Sequence, residues 1–255
     1  MRLAVRESGD ARGRPVVLLH AFPMCSALWE PQLEALKAFR VICPDFRGFG
    51  ATPLVAPWFV EHAVDDLFET LESVGADRAV LVGLSMGGYV ALRAVEKRPD
   101  RVQALVLCDT RAEADSNENK AKRAAAVDLV RARGTASFLE PFLSDALAPK
   151  TRAEKPQIAA FLTNVALKSS PDAVMAALAA LAARGDMTAA LSAVGVPAAV
   201  IVGAQDRITP PALAAAMSER IPGAELRVIA DAGHFSNAEN PGAFNESLVA
   251  FLKRF

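Results

Sequence analysis

"AVLVGLSMGGYVALR", residues 79–93, runs a short apolar stretch into Gly-Leu-Ser-Met-Gly-Gly and then continues at helical spacing. An unbroken apolar run of this length is the mark of a strand in a parallel sheet covered on both faces. Gly83 and Gly87 stand two residues on either side of Ser85, the spacing G-x-S-x-G. The physical reason for that spacing is crowding: a residue on a sharp, strained turn between strand and helix leaves no room for side chains at the flanking positions. Such a turn projects Oγ at the carboxyl edge of the sheet, where open α/β sheets place their ligands. It also sets the amide of Met86 at a helix N-terminus, where negative charge is stabilised. A glycine-rich turn can instead cradle phosphate, but neither G-x-G-x-x-G nor G-x-x-x-x-G-K-[ST] is present.

Outward from this turn, further apolar runs recur with helix-length segments between them: "RPVVLLH" at 14–20, "RVICPD" at 40–45, "ALVLCD" at 104–109, "AAVIVG" at 198–203 and "ELRVIA" at 225–230. "RLAVRES", residues 2–8, alternates instead and predicts an antiparallel edge strand. Between strands, Val64, Leu67, Phe68, Leu71 and Val74 share one helical face, with Glu61, Asp65, Asp66, Glu69 and Glu72 largely off it, which predicts a surface helix on a sheet. Phe244, Leu248, Phe251, Leu252 and Phe255 repeat the pattern after Asn240 as N-cap and Pro241 at the first helical position.

Almost ninety residues separate Asp109 from the strand at Ala198, too many for one crossover helix. The interval is Ala-rich, helical in pattern and interrupted by Gly134, Pro141, Pro149, Pro156 and Pro171. It predicts a helical insertion at 112–186 in a core domain formed by residues 1–111 and 187–255.

A serine hydroxyl is a weak nucleophile unless a base takes its proton and a third group orients that base. Three histidines are available. His62 begins an acidic helix, and His20 ends a central strand. His234 lies in "DAGHFSNAENP", a loop after the last strand and therefore at the same sheet edge as Ser85, so it is the candidate base. Asp206, in "VGAQDRITPP" just beyond the strand ending at Gly203, is the candidate acid and completes the chain order Ser, Asp, His. Asp109 at the end of the preceding strand is the rival acid; Asp231 is too close to His234 in sequence for the needed geometry at Nδ1.

Composition narrows the class further. In 255 residues, 28 basic and 29 acidic side chains leave a formal charge of −1 with no block of one sign, which disfavours nucleic acid or an anionic membrane as partner. No apolar run is long enough for a signal segment or a membrane span. Cys25, Cys43 and Cys108, an odd number in CxxC-free surroundings, read as reduced thiols of a cytoplasmic protein rather than a metal site.

With these residues in place, "HAFP" resembles the oxyanion loop of the α/β-hydrolase fold superfamily. In the same way "PDFRGFGAT" resembles the loop after the next strand, "GLSMGG" the nucleophile turn, "GAQDRITPP" the acid loop and "GH" with "ENP" the histidine loop. The five matches occur in order over essentially the whole chain. "HAFP" together with "GLSMGGYVALRAVEKRPDRVQALVLCDTRAEAD" is most similar to the small 3-oxoadipate enol-lactonase-like hydrolases. The resemblance implies an α/β-hydrolase fold, a mostly parallel sheet with helices on both faces and a helical cap at 112–186. It implies a serine hydrolase of a small or medium carboxylic ester or lactone, acting through an acyl-enzyme on Ser85 as a monomer or homodimer, with no metal or organic cofactor. It assigns the oxyanion hole to the backbone amides of Phe22 and Met86. Phe22, Met24, Trp29, Met86, Phe138, Phe142, Phe161 and Phe235 are candidate pocket walls, for each of which core packing is as good an account. Cofactor-free perhydrolases, carbon–carbon bond hydrolases and ligand sensors built on the same scaffold resemble the pattern too. Many relatives carry His-Gly where this chain has His20-Ala21, so Ala21 is expected in an ordinary backbone region, with His20, Asp45 and Arg47 bracing loops.

Overall fold

The computed structural model describes residues 1–254, so the expected contribution of Phe255 to the last helix lies outside the described residues. Seven strands form one sheet: β1 (Val5–Gly9), β2 (Pro15–Leu19), β3 (Arg40–Pro44), β4 (Ala79–Leu84), β5 (Val102–Cys108), β6 (Ala198–Gly203) and β7 (Glu225–Ile229). Their spatial order is β1-β3-β2-β4-β5-β6-β7. β1 runs antiparallel to β3, pairing Val5 with Pro44 and Gly9 with Arg40, and every other pairing is parallel. β4 and β6 are buried along their whole length, which is why they lack the alternation of a one-sided sheet.

Helices α1 (Glu30–Leu33), α2 (Val60–Ser73) and α3 (Met86–Lys97) precede β5. α2 buries Val60, Val64, Leu67, Phe68 and Leu71, and His62 closes its first turn by accepting the Phe59 N–H at Nδ1 (3.2 Å). Asp66 departs from the expected solvated face: it is buried because both of its oxygens take the guanidinium of Arg47, at 2.5 and 2.8 Å.

Between β5 and β6 come α4 (Asn117–Arg133), α5 (Thr135–Ala146), α6 (Pro149–Glu154), α7 (Pro156–Ala166) and α8 (Pro171–Ala183). Gly134 ends α4, and Pro149, Pro156 and Pro171 each open a helix, where a missing N–H costs nothing. Pro141 does not interrupt the chain as expected; it sits inside α5, exposed, and forfeits one hydrogen bond without ending the helix. The segment leaves and rejoins the core at one point, since the Met187 N–H donates to Ala112 O (2.9 Å). A buried carboxylate, Asp115, pins this base by taking Arg111 (3.0 Å), Arg123 and Arg184 (2.7 Å), and Arg184 lies 4.2 Å over the Tyr89 ring of α3.

The chain closes with α9 (Pro211–Arg220), α10 (Ser236–Glu239) and α11 (Pro241–Leu252). The Asn240 side chain caps α11 at the Ala243 N–H, and Phe244, Leu248, Phe251 and Leu252 turn inward. All three cysteines are buried and free; burial pushes the Cys43 thiol up to about 12. Among the described residues no single helix is long and apolar enough to cross a membrane.

Candidate active site

Ser85 is the one residue between β4 and α3, with φ 52° and ψ −110°, a conformation L side chains rarely adopt. The turn is held from below: its N–H donates to Cys108 O (2.9 Å), and its carbonyl accepts the Gly88 N–H (2.9 Å) and the Thr110 hydroxyl (2.8 Å). A Cβ on Gly83 would lie 2.3 Å from Gly87 O, and one on Gly87 2.1 Å from Leu19 O, so the turn closes only with glycine at both positions. This is the crowding the spacing implied.

His234 and Asp206 arrive from the loops after β7 and β6. His234 Nε2 lies 2.9 Å from Ser85 Oγ, and Nδ1 lies 2.9 Å from Asp206 Oδ2. Asp206 Oδ1 takes the N–H groups of Ile208 (2.8 Å) and Thr209 (2.9 Å), while Oδ2 also takes the Thr209 hydroxyl (2.6 Å). An ionised carboxylate only accepts, so Nδ1 carries the proton and Nε2 is left with its lone pair toward Oγ. Burial alone would pull the His234 pKa down, but the charge and hydrogen bond of Asp206, with Asp109 and Glu239 behind them, hold it above the ordinary histidine value. Burial acts on Asp206 in the opposite sense, and His234 and Thr209 outweigh it, keeping the carboxyl below the usual range.

Asp109, the rival acid, is also buried and has φ 44°. Its oxygens take the Gly203 N–H (2.8 Å) and the N–H (3.3 Å) and hydroxyl (2.5 Å) of Ser236, not the imidazole. Burial, reinforced by the nearby Asp206 charge, pushes its carboxyl well above the ordinary range. Asp231 turns to Lys150 (2.9 Å). His20 accepts the Phe46 N–H at Nε2 (3.0 Å), and burial lowers its pKa, so it stays neutral and structural. Ala21 is absent from the non-glycine residues with positive φ. Asp45 braces two loops through the N–H groups of Ser26 (2.6 Å) and Ala51 (3.0 Å).

A chain of aromatic contacts runs outward from His234. Phe235 lies 5.6 Å from the imidazole, Phe142 6.2 Å from Phe235, and Phe22 and Phe138 6.3 and 5.3 Å from Phe142. Phe138 and Phe142 come from α5, so the helices between β5 and β6 supply two of these rings. Met24 and Trp29 are fully buried, Trp29 against Phe244 of α11 at 6.3 Å, and Phe161 on α7 is half-buried outside the ring cluster. No acceptor among the described residues takes the backbone N–H of Phe22 or Met86. Thr209 and Ser236 were not singled out from the sequence. The signal for Thr209 was there, since an Asp followed two and three residues on by free amides reads as an Asx turn; nothing local signals Ser236.

A hydroxyl on a strained turn, an imidazole and a carboxylate in one hydrogen-bonded line on a mostly parallel sheet define the hydrolases of this architecture. The chain belongs to the alpha/beta hydrolase fold family, whose profile matches residues 14–241. Among its relatives, 3-oxoadipate enol-lactonase 2 of Acinetobacter baylyi is 30% identical over 232 residues, spanning 90% of this chain and 85% of the relative. A thermophilic esterase from Thermogutta terrifontis superposes with a TM-score of 0.94 at 36% identity, covering 99% of this chain and 93% of the esterase. The enol-lactonase from Burkholderia xenovorans superposes with a TM-score of 0.92 at 27% identity, covering 99% and 96%.

Proposed function

We propose that the chain hydrolyses a small or medium carboxylic ester or lactone through an acyl-enzyme on Ser85, with His234 as general base and Asp206 as the orienting acid. The observation that carries this reading is the unbroken line Oγ to Nε2 (2.9 Å) and Nδ1 to Oδ2 (2.9 Å). The similarity to an esterase and to two enol-lactonases supports the substrate class. In the reaction Oγ attacks the carbonyl carbon as Nε2 accepts its proton, and the developing imidazolium is stabilised by Asp206. The oxyanion is received by the amides of Phe22 and Met86, each such donor supplying about 10²- to 10³-fold in kcat. His234 then protonates the leaving alkoxide, and the same imidazole activates the water that releases the acid.

Residues 112–186 act as a cap. Its Phe138 and Phe142, with Phe22 and Phe235, line the acyl site with hydrocarbon, which suits a neutral acyl group. The deciding experiment is Ser85→Ala: turnover of p-nitrophenyl acetate and labelling by a fluorophosphonate should both vanish while the thermal transition is retained. Labelling that persists moves the nucleophile elsewhere and overturns the proposal.

A further inference from the structure

Glu239 is fully buried, yet among the described residues its carboxylate pairs with no cation; the nearby ammonium of Lys155 donates to the Glu239 backbone carbonyl instead (2.9 Å). A carboxylate in such a place is stable only if strong donors converge on it. Oε1 takes the N–H groups of Gly233 (2.9 Å) and Phe235 (3.3 Å), the two residues flanking His234. Oε2 takes the N–H of Ala148 (2.8 Å), in the turn between α5 and α6. The N–H of His234 itself donates to Ala146 O (2.7 Å), at the end of α5. The loop carrying the imidazole and the turn of the inserted helices are therefore closed into one hydrogen-bonded unit, with a single carboxylate bonded to both sides.

We infer that Glu239 is a positioning residue, which sets the placement of His234 and the seating of the inserted helices over the site together. The inference rests on the reading of Ser85, His234 and Asp206 as the reacting groups. Its consequence follows from α5: the helix whose last turn is tied to the His234 peptide also carries Phe138 and Phe142, and Phe142 packs against Phe235, the neighbour of His234. An acyl group that shifts those rings is felt at the imidazole, and loss of the tie leaves both loose.

Glu239→Gln keeps the volume but places an NH₂ where one carboxylate oxygen met an N–H donor, breaking one side of the tie. In the full-length chain, kcat for p-nitrophenyl acetate should fall by about 10²-fold with KM changed by less than about threefold, the size expected when a reacting group is misplaced by an ångström. The acidic groups facing His234 are Asp206 and Glu239, with Asp109 drawn by burial toward its neutral form, and the Lys155 ammonium sits at the Glu239 backbone carbonyl. Removing the Glu239 charge should move the acidic limb of kcat/KM to lower pH, which a purely structural role would not do. Ala148→Pro tests the same link from the other side. Ala148 has φ −57° and Leu147 is extended, so the backbone accepts proline, whose ring removes the donated N–H and displaces Oε2 from that side of the tie. It should reproduce the loss in kcat, about tenfold, with Glu239 intact.

Hydrogen exchange in a Ser85→Ala background separates this inference from the catalytic reading, because it needs no turnover. Glu239→Ala, which removes both acceptor oxygens, should release the Ala148, Gly233 and Phe235 amides together. A folded Glu239→Gln protein with unchanged kcat and acidic limb, or release in Glu239→Ala of Ala148 alone with 233 and 235 still protected, overturns the inference. Turnover surviving in Ser85→Ala would instead overturn the catalytic reading.

Discussion

Replacing Asp206 by Asn preserves the shape of the side chain, removes its charge and, through the hydrogen bonds around it, dictates which tautomer His234 adopts. Oδ1 accepts two backbone N–H groups, from Ile208 and Thr209, so the amide oxygen of Asn must take that position. The NH₂ then faces the Thr209 hydroxyl, which can rotate to accept, and His234 Nδ1. Nδ1 becomes an acceptor, the proton moves to Nε2, and an N–H instead of a lone pair meets Ser85 Oγ at 2.9 Å. Two terms set the size of the loss. An imidazolium and a carboxylate with charge centres about 4 Å apart attract by about 4 kcal/mol at an effective dielectric near 20, and this stabilisation of the transition state disappears. Restoring the active tautomer against the Asn NH₂ costs about 1–2 kcal/mol more. The sum, about 5–6 kcal/mol, corresponds to about 10⁴-fold in kcat. The assay is steady-state and burst kinetics with p-nitrophenyl acetate, with a thermal melt to verify folding. A folded Asp206→Asn protein within tenfold of wild type, or a larger loss in Asp109→Asn, would refute the reasoning and give the orienting role to Asp109.

The pH profile follows from the same charges. Because His234 is held above the ordinary value of about 6.5, the acidic limb of kcat/KM should have its midpoint above that value, with activity lost as pH falls through it; a midpoint below 6 contradicts the electrostatic account. The sign for stability is opposite: the raised His234 stabilises the fold fully below about pH 6.5, an advantage lost as pH rises through its folded value. Gly87→Ala should lower the melting temperature by roughly 6–12 °C, about 3 kcal/mol, because the new Cβ would stand 2.1 Å from Leu19 O; calorimetry showing no shift would disprove the packing argument. Phe142→Ala removes the ring that joins Phe22, Phe138 and Phe235, so KM for butyrate and hexanoate esters should rise about tenfold at nearly constant kcat. A loss confined to kcat would place Phe142 outside the acyl site.

Periodicity was enough to locate the sheet. The unbroken runs at 79–83 and 198–203 lie in strands buried on both faces, and the alternating run near the N-terminus is the antiparallel edge strand, because a strand's exposure is written into its own side chains. Gly83, Ser85 and Gly87 were legible for the same local reason: the turn's demands fall on residues within two positions of each other. Asp66 and Pro141 misled because their environment is supplied from elsewhere, by Arg47 across the fold for the one and by the inserted helix's exposed face for the other. Asp206 was the candidate acid in the chain and Asp109 its rival, both being aspartates at the carboxyl ends of adjacent strands. Only the tertiary structure turns one toward the imidazole and the other toward Gly203 and Ser236. The same holds for Glu239, five residues from His234 and unremarkable in "NAENP", whose carboxylate acquires its meaning from an amide at position 148. Sequence by itself determined the elements, their order and the residue types brought to one edge, because those depend on short-range sterics and hydrophobic period. Which side chains meet, and in which tautomer and charge state, was decided by contacts between residues far apart in the chain, where burial and a neighbour's charge set the outcome.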